Sequence, residues 1–99
     1  MSSEYKNKIP NSLNEHWMPF TSNKDFKERP RLITEAKGVY LKNHEGNTQI
    51  DASSGLFCNP LGHGRMEIID AITNQLKTLD YAQPFQQGFG GSFELATRI

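Results

Sequence analysis

Few residues in this chain have the chemistry to catalyse or ligate, and their spacing narrows them further. Histidines stand at positions 16, 44 and 63, the single cysteine at 58, and lysines at 6, 8, 24, 27, 37, 42 and 77. The histidines lack any metal-ligand spacing, and one cysteine supports neither a cysteine-rich zinc site nor an internal disulfide. His44 falls in a turn and is expected in solvent. For His16 and His63 a place along a cleft is the alternative to an ordinary polar position. Cys58 has no neighbouring base to generate a thiolate, so a small buried apolar role is expected. An imine-forming lysine needs a sheltered pocket that favours the neutral amine. All seven lysines stand among polar neighbours, so none is expected to serve.

Gly62-His63-Gly64 opens like a dinucleotide-binding fingerprint. The third glycine position is occupied by Glu67 and a loop, not a buried strand, precedes it, so a turn followed by a helix is expected. Gly88-Phe89-Gly90-Gly91 reads as backbone freedom rather than a phosphate cradle. The informative residues are aromatics outside periodic segments: Trp17, Phe20, Phe57, Phe85 and Phe89. Core packing accounts for each singly; together they describe an aromatic-walled pocket shared by three loops.

The elements that must carry these loops are short. Gly38–Lys42 reads as a strand, His44–Asn47 as a turn and Thr48–Asp51 as the return strand, with Leu32-Ile33 as a possible third. Two strands alone are marginal in water, so a neighbouring layer is required. Pro30 blocks a helix running through the charged stretch 23–30. From Arg65 to Leu79, Ile68, Ile69, Ile72, Leu76 and Leu79 recur at helical spacing opposite Glu67, Asp70, Asn74 and Lys77. Ser92 is expected to cap a last helix carrying Phe93, Leu95, Ala96 and Ile99, which shows no closing signal.

Ninety-nine residues suffice for one small domain, but a chain of this size needs a good core and only 35% of it is hydrophobic. Eleven basic and eleven acidic residues balance, and no basic stripe speaks for nucleic acid or an anionic membrane. No apolar run approaches the length of a membrane span, and residues 1–8 do not form a secretory signal. A cytoplasmic protein is expected.

Taken in order, His16-Trp17-Met18-Pro19-Phe20-Thr21, Gly38-Val39-Tyr40-Leu41 with Gly46 and Asp51, Ser54-Gly55-Leu56-Phe57-Cys58, Leu61-Gly62-His63 before a helix, and Phe85-Gln86 with Gly88 resemble the start of class III aminotransferases. The likeness is greatest to the beta-alanine (omega-amino acid):pyruvate group and runs from about residue 14 to the end. It implies an α+β fragment of a fold-type I, pyridoxal-phosphate-dependent transferase: an N-terminal arm over 1–15, a small-domain portion over 16–80, and an interfacial loop leading into the large domain over 81–99. It further implies a homodimer acting on a small-molecule amino donor and pyruvate. Phe20, Leu56 and Phe57 would line the substrate pocket, and Phe85 would lie in a loop reaching toward the partner's site.

The resemblance places the imine lysine, the aspartate on the pyridinium nitrogen, the phosphate loop and the carboxylate-binding arginine beyond residue 99. The chain alone is therefore expected to be inactive, with no catalytic, cofactor-binding or metal residue of its own. Family members often carry Trp at the position of Phe57 and His-Pro at Phe89-Gly90, so pocket size and the interfacial loop are expected to differ. A non-catalytic or subunit-binding remnant is the alternative from another class. Taurine:pyruvate and diaminopelargonate-forming transamination are alternatives within the family.

Overall fold

The computed structural model describes residues 9–99, so the first half of the expected arm lies outside the described residues. One compact unit runs to Arg65 and a second from Met66 to Ile99.

In the first unit, helix α1 (Asn23–Glu28) is six residues, less than two turns. Its end is dictated by Pro30: Arg29 takes φ −137° and ψ 74°, outside the helical region that a following proline disfavours. Phe26 on this helix is 8% exposed and is the buried hydrophobic residue of the described chain. The Arg31 guanidinium lies 5.6 Å from its ring centroid.

Three strands follow in antiparallel order: β1 (Ile33–Lys37), β2 (Tyr40–Asn43) and β3 (Thr48–Ile50). The expected hairpin is present, and the third strand extends well past Ile33. Glu35 faces Lys42 across the ladder, with Nζ 3.8 Å from the carboxylate. The register slips between Ile33 and Glu35, where the Thr34 hydroxyl lies 3.3 Å from the carbonyls of both Lys42 and Asn43. The β2–β3 turn closes on Asn43, whose Oδ1 accepts from the amides of Glu45 and Asn47, while Gly46 takes φ +89°.

After β3 the chain makes a single left-handed turn, α2 (Ser54–Phe57), then returns to the sheet. Gly38 and His63 pair reciprocally, N to O at 2.9 and 2.8 Å. Gly62 is needed beside this pair, because a Cβ there would sit 3.3 Å from the Gly38 carbonyl oxygen and its φ is +88°.

The second unit holds α3 (Met66–Thr78) and α4 (Gly90–Arg98). The first matches the isoleucine–leucine periodicity closely. The second starts earlier than expected: Phe89 is the N-cap, and Ser92 sits inside the first turn, donating its hydroxyl back to the Phe89 carbonyl at 2.7 Å. The two glycines expected as loose backbone, Gly90 and Gly91, are helical, and the Phe89 ring folds over Gly91, where a Cβ would have to displace it. The apolar stripe of α3, Ile68 through Leu79, remains exposed, as do Phe93 and Leu95 of α4. Among the described residues, no helix is long and apolar enough to cross a membrane.

Candidate functional site

Phe20 sits at the tip of a proline-bent loop, fully exposed and with φ +49°. The loop is shaped by a side chain downstream of it. Asn23, 5% exposed, accepts from the Met18 amide at 2.8 Å and donates to the carbonyls of Met18 and Thr21 at 2.9 and 3.0 Å. A buried amide thus replaces the backbone partners that an irregular loop lacks.

Leu56 and Phe57 stand on the left-handed turn. Ser54, Gly55, Leu56 and Phe57 have φ of 52°, 60°, 57° and 65°. Such geometry costs an L-residue about 1–2 kcal/mol, so surrounding bonds must hold three of these residues in place. Asp51 does much of this. Its Oδ1 lies 3.2 Å from the Gly55 amide and 3.3 Å from the Ser53 hydroxyl, while Oδ2 lies 2.8 Å from His63 Nε2. On the far side of the imidazole, Nδ1 lies 2.8 Å from Asn59 Nδ2. The Asn59 amide in turn donates to the Ser54 carbonyl at 2.8 Å, closing a ring of contacts around the turn. An amide donor at Nδ1 and a carboxylate at Nε2 are satisfied together by the neutral tautomer protonated at Nε2. The hydrogen bond from His63, then that from the Gly55 amide, hold the Asp51 carboxyl below its ordinary pKa, against a smaller upward push from burial.

Phe85 belongs to the second unit. It is exposed, follows Pro84 and precedes Gln86, which has φ +63°. The structure therefore joins Leu56 to Phe57 on one turn, presents Phe20 from a separate loop of the same unit and carries Phe85 on the other unit. Among the described residues, the non-glycine positions with positive φ are Phe20, Ser54, Leu56, Phe57 and Gln86. Every one is an expected pocket residue or lies within two positions of one.

No protein-family model matches the chain. Over 88 residues it is 44% identical to a beta-alanine–pyruvate aminotransferase of Pseudomonas aeruginosa, covering 89% of this chain and 20% of that protein. Over 87 residues it is 46% identical to an omega-amino acid–pyruvate aminotransferase of Pseudomonas putida, covering 88% and 19%. An adenosylmethionine-8-amino-7-oxononanoate aminotransferase of Methanocaldococcus jannaschii is 47% identical over 84 residues, covering 84% and 18%. Among solved structures, an amine transaminase from an uncultivated Pseudomonas species superposes with a TM-score of 0.80 at 28% identity, covering 90% of this chain and 20% of that one. By sequence and by fold, the chain is an aminotransferase homologue. It spans about a fifth of the length of the curated relatives it matches.

In this aminotransferase homologue the described lysines are surface groups. Lys42 faces Glu35, the Lys27 ammonium lies 5.8 Å from the centroid of the Trp17 ring, and Lys24, Lys37 and Lys77 are exposed. None occupies the sheltered setting that covalent attachment of pyridoxal phosphate requires. The described lysines do not fit the anchor of such a cofactor.

Two polar expectations need correction. His44 is half-buried, not solvated. Its amide bonds the Leu32 carbonyl at 2.9 Å, which draws the turn against the start of β1 and leaves Nδ1 buried without a partner. It lines a hollow of about 550 Å³ with Arg29, Arg31 and Glu45. Cys58 is exposed rather than buried, because the left-handed turn ends at it and leaves its thiol on the surface, 3.6 Å from the Leu56 carbonyl. His16 lines a hollow of about 260 Å³ beside Phe26, and His63 a smaller one beside Ser54. Asn23 and Asp51 are the site-shaping residues that residue type alone did not single out. The signal for each was a short polar side chain within five residues of an irregular apolar segment.

Proposed function

We propose that this chain contributes substrate-pocket walls to a pyridoxal-phosphate-dependent aminotransferase that moves an amino group from an omega-amino acid or amine, such as beta-alanine, to pyruvate. The carrying observation is the coincidence of strained backbone with the apolar residues Phe20, Leu56 and Phe57 and with Gln86 beside Phe85. Residues persist in costly backbone geometry where their placement is used, and such positions cluster at active sites. Exposed apolar side chains on loops held by buried polar groups suit a pocket for an amine with an apolar body.

In this reading the chain supplies part of a fold-type I architecture. Residues 9–15 belong to an arm, 16–80 to a small-domain portion, and 81–99 to an interfacial loop with the start of the large domain. The assembled protein is a cytoplasmic homodimer in which Phe85 reaches toward the partner subunit's site. Pyridoxal phosphate supplies the electron sink for amino transfer when bound. The residues of this chain exclude water and orient the donor: Leu56 and Phe57 pack along its apolar part, and Phe20 closes a second side. The likeness to the adenosylmethionine-8-amino-7-oxononanoate enzyme supports a second reading, with a longer amino-ketone substrate in the same pocket.

The test is a donor screen on the intact protein carrying these residues, run once with pyruvate and once with 8-amino-7-oxononanoate as acceptor, with the aminated acceptor as readout. Transfer from beta-alanine or a short amine supports the proposal. Transfer only from adenosylmethionine to 8-amino-7-oxononanoate favours the second reading, and no transfer from any donor overturns both.

A further inference from the structure

We infer that Asp51, His63 and Asn59 act as a clamp that sets the donor-facing wall, making them specificity-determining positioning residues. This rests on the aminotransferase reading above. The left-handed turn is tied at both ends. Near its start, the Gly55 amide and the Ser53 hydroxyl reach Asp51 Oδ1. From beyond its end, the Asn59 main-chain amide donates back to the Ser54 carbonyl. His63 bridges the two anchors through its two ring nitrogens, both at 2.8 Å.

The clamp has a rigid base. The Asp51 amide bonds the Val39 carbonyl at 2.8 Å, and His63 is locked to Gly38 by the reciprocal backbone pair. The Asp51 side chain is 7% exposed and that of His63 24%, so solvent cannot readily replace these bonds. Both ring nitrogens of His63 are engaged by neighbouring side chains of this chain. Its contribution is geometric. Leu56 and Phe57 make few contacts of their own, so the angle at which they face a donor follows from the clamp.

The experiment uses the intact, cofactor-loaded protein and compares kcat/KM for a small donor, beta-alanine, with that for a bulky one, 1-phenylethylamine. His63→Leu keeps the volume and removes both bonds; His63→Gln keeps one donor and one acceptor. Asp51→Asn probes one anchor, and Asn59→Ala removes the side-chain contact that couples His63 to the other while keeping the main-chain bond to Ser54. His63→Leu is expected to change the ratio of the two donors about tenfold, since displacing a reacting group by about 1 Å costs up to a hundredfold. The shift should fall mainly in KM for the donors, leave KM for pyruvate unchanged, and be restored to within about threefold by His63→Gln.

Equal loss for both donors, or an unchanged ratio in an active variant, overturns the clamp. So does joint loss of fold and cofactor in all four variants, which would make the network a support for the whole protein. If the unsubstituted protein transfers no amino group, the functional reading fails first. Hydrogen exchange then decides the geometric part alone: His63→Leu must speed exchange at the Gly55 and Phe57 amides while leaving α3 unchanged.

Discussion

The Asp51 carboxylate meets the His63 imidazole at 2.8 Å, joining the residue that follows β3 to the segment that returns to Gly38. This contact ties the left-handed turn to the sheet, and several measurable consequences follow from it and from the Asn23 bracket.

The first concerns pH. The carboxyl of Asp51 is held below its ordinary value by His63 and by the Gly55 amide. A carboxylate depressed in the folded state stabilises the fold fully above the ordinary carboxylate range, and that stabilisation is lost as pH falls through the lowered value. Urea unfolding of the intact protein across the acid range should therefore show a loss of stability that Asp51→Asn reduces. An identical acid limb in the variant would contradict this role.

The second concerns Asn23. Its amide makes three hydrogen bonds to the loop bearing Phe20 while almost fully buried. Asn23→Ala should cost about 1–3 kcal/mol in chemical denaturation, the penalty for stranding buried polar groups. Amide exchange at Met18 should rise with it. A change confined to stability, with Met18 still protected, would show that the loop is held by something else.

A third follows from the strained turn. Leu56→Gly removes the Cβ that makes φ +57° unfavourable and should leave stability level or raise it by up to about 1 kcal/mol, offset by lost apolar contact. Leu56→Val should destabilise by more than Leu56→Ala, because a branched Cβ is least tolerant of that geometry. Thermal denaturation of the three variants gives the order directly. The reverse order would show that packing outweighs strain.

A fourth concerns the cofactor. Treating the cofactor-loaded intact protein with borohydride and mapping the modified peptide should place the label on a lysine other than Lys24, Lys27, Lys37, Lys42 or Lys77. Label on any of these would overturn the assignment of this chain to wall rather than anchor.

Much of the frame was legible because it follows periodicity. The spacing of Ile68, Ile69, Ile72, Leu76 and Leu79 specifies α3, and strand-forming residues around Gly46 specify the hairpin. Helix α1 was not legible: six mostly polar residues carry no repeat, and its setting depends on Phe26 and Asn23. Nor was the left-handed turn, since leucine and phenylalanine have no propensity for positive φ, and the contacts of Asp51 and Asn59 join the Phe57-to-Ser53 main-chain bond in holding it. The start of α4 escaped because two glycines disfavour a helix in isolation, and the packing of the Phe89 ring over Gly91 leaves no periodic trace in the sequence. Phe20, Leu56, Phe57 and Phe85 were identifiable as unusual aromatic and apolar loop residues. Their backbone geometry was not.

The positive φ at positions 56 and 57 also restricts the routes by which natural or laboratory selection can change the pocket. Valine, isoleucine and threonine, accessible by small steps and close in size, are penalised there by the backbone before any substrate is met. Variation is channelled toward unbranched side chains and glycine, so the useful alphabet at these two codons is shorter than the genetic code allows. A library restricted to that alphabet would sample the reachable donor range with far fewer clones.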